Sequence, residues 1–199
     1  MTLPDWEALR RWVRERMAFA PGGHGWDHVE RVERMALRLA REVGAQEEIV
    51  RAAALLHDIC REEEQRTGRD HSQGAARLAR ERLPAWGFEP EAVEAIARCI
   101  EEHRFQGGGK ASRLEAQVLS DADKLDALGA FGILRVFAYA GAHGRSLEAS
   151  LQHFHEKLLR LEERLYTEPA RRLARRRTER LRLFLAWLEE EAAEGLKGE

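Results

Sequence analysis

At 199 residues the chain is sized for one domain with helical extensions, and with 44% hydrophobic residues it can bury a core without staples. Charge is dense but balanced, 35 acidic against 33 basic residues for a formal net charge of -2, which excludes a global pull toward nucleic acid or an anionic membrane. Cys60 and Cys99 cannot form a disulfide framework and predict a reduced, cytoplasmic setting.

The chain reads as all-α. A first helix is predicted from Pro4 to Phe19, with Pro4 in its first turn, Thr2 or Leu3 at the cap and Pro21-Gly22-Gly23 ending it. No signal peptide is read before it, because Asp5 and Glu7 stand where an apolar run belongs. The second helix starts near Asp27, carries Val29, Val32, Met35, Ala36, Leu39 and Val43 at helical spacing, and stops at Gly44. Ile49 to Ile59 is apolar nearly all round and reads as the central buried helix. Arg61 to Asp70 is charged and reads as a loop. Ser72 to Leu83 is a helix stopped by Pro84, and Glu89-Pro90-Glu91 opens another, with Val93, Ile96, Ile100 and His103 on one stripe.

Gly107-Gly108-Gly109 breaks the chain. Ser112 is read as the cap of a helix reaching Ser120, followed by a buried helical segment from Asp121 to Ala140 and a break at Gly141 to Gly144. The most apolar stretch, Leu125 to Ala142, is cut by Arg135 and by glycines and falls short of the ~20 residues of a membrane span. Ser146 caps a helix to about Tyr166, and Thr167-Glu168-Pro169 starts a last one to about Glu194. The arginines from Arg171 to Arg182 alternate with an inner stripe of Leu173, Leu181, Phe184, Leu185 and Leu188, the pattern of a solvated amphipathic helix. The whole chain is taken as a single domain, with its motifs in residues 20–142 and a C-terminal helical extension over 146–194.

The chemistry is concentrated in a few polar residues on apolar stripes. His57-Asp58 ends the buried helix, where an ionised carboxylate is costly unless it is paired or bound to a cation. His28 extends the line of Val32, Met35 and Leu39, and His103 extends that of Val93, Ile96 and Ile100. Asp121, Asp123 and Asp126 crowd one apolar segment and repel one another unless a cation offsets them. Together these make a mixed nitrogen and oxygen donor set suited to an octahedral divalent ion, and no cysteine pair has the spacing of structural zinc.

The order His28, His57-Asp58, Asp123 resembles the HD superfamily of metal-dependent phosphohydrolases. The surrounding motifs match too: His24-Gly25-Trp26-Asp27-His28, Ala54-Leu55-Leu56-His57-Asp58-Ile59, Asp70-His71-Ser72-Gln73-Gly74, Ile100-Glu101-Glu102-His103 and Ala122-Asp123-Lys124-Leu125-Asp126-Ala127-Leu128. The resemblance implies an HD-domain helical bundle in which His28, His57, Asp58 and Asp123 hold a divalent metal, Mn first, with Mg, Fe, Co, Ni or Zn as alternatives. Asp126 fits the family's second aspartate, and Asp121 is the less favoured ligand. His71 and His103 stand where two-metal relatives place further ligands. The Gly-Tyr-Pro segment of those relatives is replaced here by Arg104 to Gly109, so both histidines are read as phosphate-binding.

The implied reaction is attack of a metal-activated water on a phosphoester or phosphoanhydride. Asp58 and Asp126 are expected in its machinery, and His24 or Asp27 would orient the water or a ligand imidazole. Arg61, Lys124, Arg31 and Arg104 are the candidate phosphate clamps. Arg61 occupies the place where some relatives carry a catalytic carboxylate. The expected partner is a small phosphorylated molecule, a nucleotide first, with a homodimer as the candidate assembly. A second reading is a non-catalytic helical module that binds a nucleotide or a partner and keeps a structural metal. Nucleic-acid binding ranks below both.

Overall fold

A computed structural model describes residues 3–18, 22–104 and 111–194. Among the described residues there are ten α-helices and no strand. They are α1 (Trp6–Met17), α2 (Trp26–Val43), α3 (Glu47–Leu56), α4 (Arg61–Thr67), α5 (His71–Arg82), α6 (Pro90–Glu102), α7 (Leu114–Asp126), α8 (Gly129–His143), α9 (Leu147–Glu156) and α10 (Glu168–Glu194). Short 3-10 turns cover Leu83–Trp86, Leu158–Arg160 and Glu162–Arg164. Among the described residues no single helix is long and apolar enough to cross a membrane.

α3 is the hub. It packs against α2, α6 and α7, and Ile49, Val50, Ala52, Ala53, Ala54, Leu55 and Leu56 are all buried. The alanines let neighbouring helices approach on several sides, while the leucines fill the space between them. A continuous apolar cluster runs from Leu9 on α1 to Leu185 on α10. Phe137, Phe154 and Phe184 tie α8, α9 and α10 together, with ring centroids 5.8 to 6.2 Å apart. Leu173, Leu181 and Leu185 of α10 pack on or within the core, as their stripe requires.

Several element ends differ from the sequence expectation. The first helix starts at Trp6, and its cap is Asp5, whose side chain accepts from the Ala8 amide, rather than Thr2 or Leu3. Phe19, Pro21 and Gly107 to Gly109 lie outside the described residues. The expected loop at Arg61 is the short helix α4, which has no buried residue. Glu62, Glu63 and Glu64 in its first turn suit the helix dipole, and Gly68 (φ 74°) closes it in the left-handed conformation.

The helix entered after Ser112 does not end at Ser120. It runs on to Asp126, and the break falls at Ala127–Leu128. Ser112 does not cap it either, since Ser112 donates to Glu102. Gly132 allows α8 to begin against the end of α7, because a Cβ there would sit 2.3 Å from the Ala127 carbonyl oxygen. α8 continues through Gly141 to His143. The helix opened by Ser146 stops at Glu156 and gives way to 3-10 turns before Tyr166.

Candidate metal centre

The sequence places histidines at four helix ends, and the fold brings those ends together. His28 lies in the first turn of α2, His57 follows the last residue of α3, His71 opens α5 and His103 follows α6. Their rings form a chain, with centroids 5.4 Å apart for His28–His57 and His57–His103 and 5.6 Å for His103–His71. Gly74 permits this approach, since a Cβ on it would stand 3.2 Å from the Cys60 side chain and push α5 off the turn that carries Asp58.

Each ring is tethered through Nδ1. His57 Nδ1 lies 2.7 Å from the Ala54 carbonyl, His103 Nδ1 2.5 Å from the Ile100 carbonyl and His28 Nδ1 2.7 Å from Asp126 Oδ2. A carbonyl or carboxylate oxygen can only accept, so these nitrogens carry a proton, and in the neutral ring Nε2 is then a lone pair. His71 Nδ1 lies 2.8 Å from Glu64 Oε2. The buried Nε2 atoms of His28, His57 and His71 have no hydrogen-bond partner among the described residues. Buried lone pairs left open in this way are what a cation would satisfy.

Carboxylates face them. His28 Nε2 is 3.6 Å from Asp58 Oδ2 and 3.5 Å from Asp123 Oδ1, and His57 Nε2 is 3.8 Å from Asp58 Oδ2. Donor atoms of His28, His57 and Asp123 lie within 4.8 Å of one another, and so do those of Asp58, His71 and His103. Asp58 divides its oxygens between the two groups. Oδ2 looks toward His24, His28 and His57, while Oδ1 is 3.2 Å from His71 Nε2.

Electrostatics put Asp58, Asp123, His57 and His103 in ligating forms, whereas His28, against its burial, is raised by Asp126 and Asp58, so an ion bound there would displace a proton. Burial alone would keep Asp58 neutral, but His57, His24, His28 and His71 around it hold its carboxyl well below the usual range. Asp123 is likewise pulled down, against its own burial, by His28 and His57. Burial lowers His57, and burial with the neighbouring His57 pushes His103 down to about 4. Ionised carboxylates and neutral imidazoles are the states a divalent ion requires.

The remaining predicted residues separate. His24 bonds Asp58 Oδ2 through Nδ1 at 2.9 Å, and Arg61 Nε lies 3.6 Å from Asp58 Oδ1. Both line a cleft of about 440 Å³ together with Asp123 and Lys124. Arg104 reaches Glu64 and His71. Asp126 does not face the open side: it accepts from His28, Arg31 and Arg135, and so holds the His28 ring. Arg31 points to Asp126 and Asp27, and Asp27 is 70% exposed on the outer surface. Asp121 is fully buried elsewhere and accepts from the Tyr166 and Thr167 amides and the Thr167 hydroxyl.

Sequence reasoning missed Arg135, Arg145, His153 and Lys157, which line the cleft opposite the donor clusters along with the apolar Val136, Tyr139 and Leu158. Arg135 had a signal, a lone guanidinium within the most apolar stretch of the chain. It donates to Asp126 at 3.0 Å and approaches His24 Nδ1 at 3.2 Å.

A helical bundle that gathers imidazoles and carboxylates from the ends of five helices into adjoining donor clusters has the architecture of a metal-dependent hydrolase of the HD superfamily. The family model described as HD domain matches residues 25–128, and the chain belongs to that family. It is 33% identical over 193 residues to the uncharacterized protein YpgQ of Bacillus subtilis, covering 93% of this chain and 92% of that one. A crystal structure of YpgQ in complex with ADP superposes with a TM-score of 0.79 at 31% identity, over 93% of this chain and 96% of that one. A predicted HD superfamily hydrolase from an uncultured Thermotogales bacterium gives 0.74 at 30% identity, over 94% and 93% of the two chains. An HD-superfamily hydrolase of Bacillus thuringiensis gives 0.73 at 29%, over 94% and 96%.

Proposed function

We propose that the protein is a phosphohydrolase that cuts a phosphoester or phosphoanhydride of a small molecule, a nucleotide first. The observation that carries this reading is the cleft itself. Asp123 and the Asp58 neighbours His24 and Arg61 open into a space whose other walls supply Lys124, Arg135, Arg145 and Lys157. Such a surplus of cations suits a phosphorylated substrate, and Val136, Tyr139 and Leu158 offer an apolar seat for its remainder. That the related YpgQ holds ADP in a crystal supports a nucleotide.

In this reading His28, His57, Asp58 and Asp123 hold a divalent ion, Mn first. Such an ion supplies a water of lowered pKa and polarises a phosphoryl oxygen. Arg61 and Lys124 offset phosphate charge at the cleft wall. His24, kept neutral by burial despite its bond to Asp58, is placed to orient the attacking water and receive its proton. Arg135 fixes His24 and Asp126 together. His71 and His103 bind phosphate. The divided oxygens of Asp58 favour a second arrangement, in which His71, His103 and Asp58 hold a second ion. Cys60 and Cys99, both free thiols, fit a cytoplasmic setting.

The test is to strip the protein with chelator, restore Mn, and screen nucleoside mono-, di- and triphosphates while resolving phosphate from pyrophosphate. Metal-restored turnover is expected, and the product identifies the bond. A folded, metal-loaded protein that turns over none of them with Mn, Mg, Co, Ni or Fe would instead be the non-catalytic nucleotide-binding module.

A further inference from the structure

A second cavity, of about 270 Å³, opens on Asp126, the carboxylate that holds the His28 ring. Arg31, Arg34, Arg38 and Arg177 line it, together with the apolar side chains of Met35 and Phe131. Its residues come from α2, α7, α8 and α10. Phe131 and Arg177 lie beyond the residues matched by the HD domain, so the cavity forms where the C-terminal helices cover that core.

The lining of this cavity is rich in cations. Among the described residues Asp126 is the one carboxylate in it, and its oxygens already accept from His28, Arg31 and Arg135, while Asp27 meets Arg31 from outside. Arg177 donates to the Leu125 carbonyl and, among the described residues, ion-pairs with no carboxylate. Arg34 and Arg38 are exposed, and each meets one surface glutamate, Glu30 or Glu42. Exposed pairs of that kind contribute little, so both guanidinium groups can turn toward a ligand. The Arg31 guanidinium already lies over the Phe131 ring, 4.4 Å from its centroid, and 47% of Phe131 is exposed.

We propose that this cavity is a second anion site that takes a phosphate group, separate from the cleft and independent of whether the cleft hydrolyses anything. Guanidinium groups match phosphate oxygens in paired hydrogen bonds, and a dianion would give Arg177 the counter-charge that no carboxylate supplies among the described residues. The exposed face of Phe131 provides a stacking surface beside it. The phosphate can arrive as free inorganic phosphate or as the phosphoryl end of a nucleotide.

The test is calorimetric titration of the metal-stripped protein with inorganic phosphate and, separately, with adenosine monophosphate. The parent is compared with the Arg34→Ala/Arg38→Ala double variant and with Arg177→Met. Arg31 is left intact because it also holds Asp126. Each variant should weaken one binding event about tenfold or more, the loss expected from removing charge-assisted hydrogen bonds. Mn binding should stay unchanged in the double variant, whose side chains do not touch the donor clusters. Tighter binding of the nucleotide than of phosphate assigns the site to a phosphoryl group beside an aromatic seat, and equal binding assigns it to the free anion. Phosphate binding that neither variant weakens, or no binding in the parent, overturns the proposal.

Discussion

His28 and Asp126, 98 residues apart in sequence, meet in the core with His28 Nδ1 2.7 Å from Asp126 Oδ2. The contact fixes the proton on Nδ1 and leaves Nε2 aimed at Asp58 and Asp123. Arg31 and Arg135 grip the same carboxylate and keep it ionised. Asp126 is thus a residue that orients a ring, and its neighbour Asp123 is the one that shares space with the open nitrogen.

Asp126→Asn should therefore weaken Mn binding about 10- to 100-fold, the usual consequence of disturbing the partner of a ligating imidazole. The amide keeps the shape of the side chain but loses its charge and can present an N–H to His28. Calorimetry reads the affinity. An Mn affinity equal to that of the parent would show that the His28 ring needs no such anchor.

Metal should also stabilise the fold. An ion bound only by the folded chain adds about 2.7 kcal/mol at a free concentration of about 100 times its Kd. For a chain of this length that corresponds to a melting temperature about 5–10 °C higher, reversed by chelator. Asp58→Ala should abolish the shift, because Asp58 faces both donor clusters. A chelator-insensitive melting curve in the parent would contradict the assigned donor set.

The histidine and aspartate motifs were legible because each is local: an apolar helix ending in His57-Asp58, or a histidine extending an apolar stripe, is visible within a few residues. What joins them was not. Arg135 reaches Asp126 and His24 only once α8 has folded back on α7, and its pattern in sequence is that of one charge in an apolar run. α4 read as a loop because it buries nothing, so no apolar period marks it. The end of α7 is hidden in the sequence because polar residues at Ser120 and Asp121 look like a helix terminus, yet both are buried mid-helix.

The buried carboxylate of Glu33 is a structural counterpart to the site. It accepts from Arg10 and from Arg51, and those arginines lie over Trp26 and Trp6, joining α1, α2 and α3. Glu33→Ala leaves a void and two cations without their shared partner. Both arginines are partly exposed and can turn to water, which limits the cost to about 1–3 kcal/mol. A thermal melt should drop by several degrees while Mn affinity stays at the parental value. A variant that instead loses metal at full stability would mean the network serves the site.

Asp121 and Asp123 should separate cleanly. Asp121 accepts three hydrogen bonds, two from backbone amides, at 2.8 Å each, and so anchors the start of α10. Asp121→Ala strands those donors in the interior and should cost about 2–4 kcal/mol, with Mn affinity retained once the protein is folded. Asp123→Ala should do the reverse. Its carboxylate lies within ligand distance of His28 and His57 and makes no hydrogen bond among the described residues, so its loss removes metal binding and leaves the metal-free melting temperature within a few degrees of the parent. Paired melting and Mn titrations on the two variants read both effects. If Asp121→Ala loses the metal and Asp123→Ala keeps it, the ligand assignment along α7 is inverted.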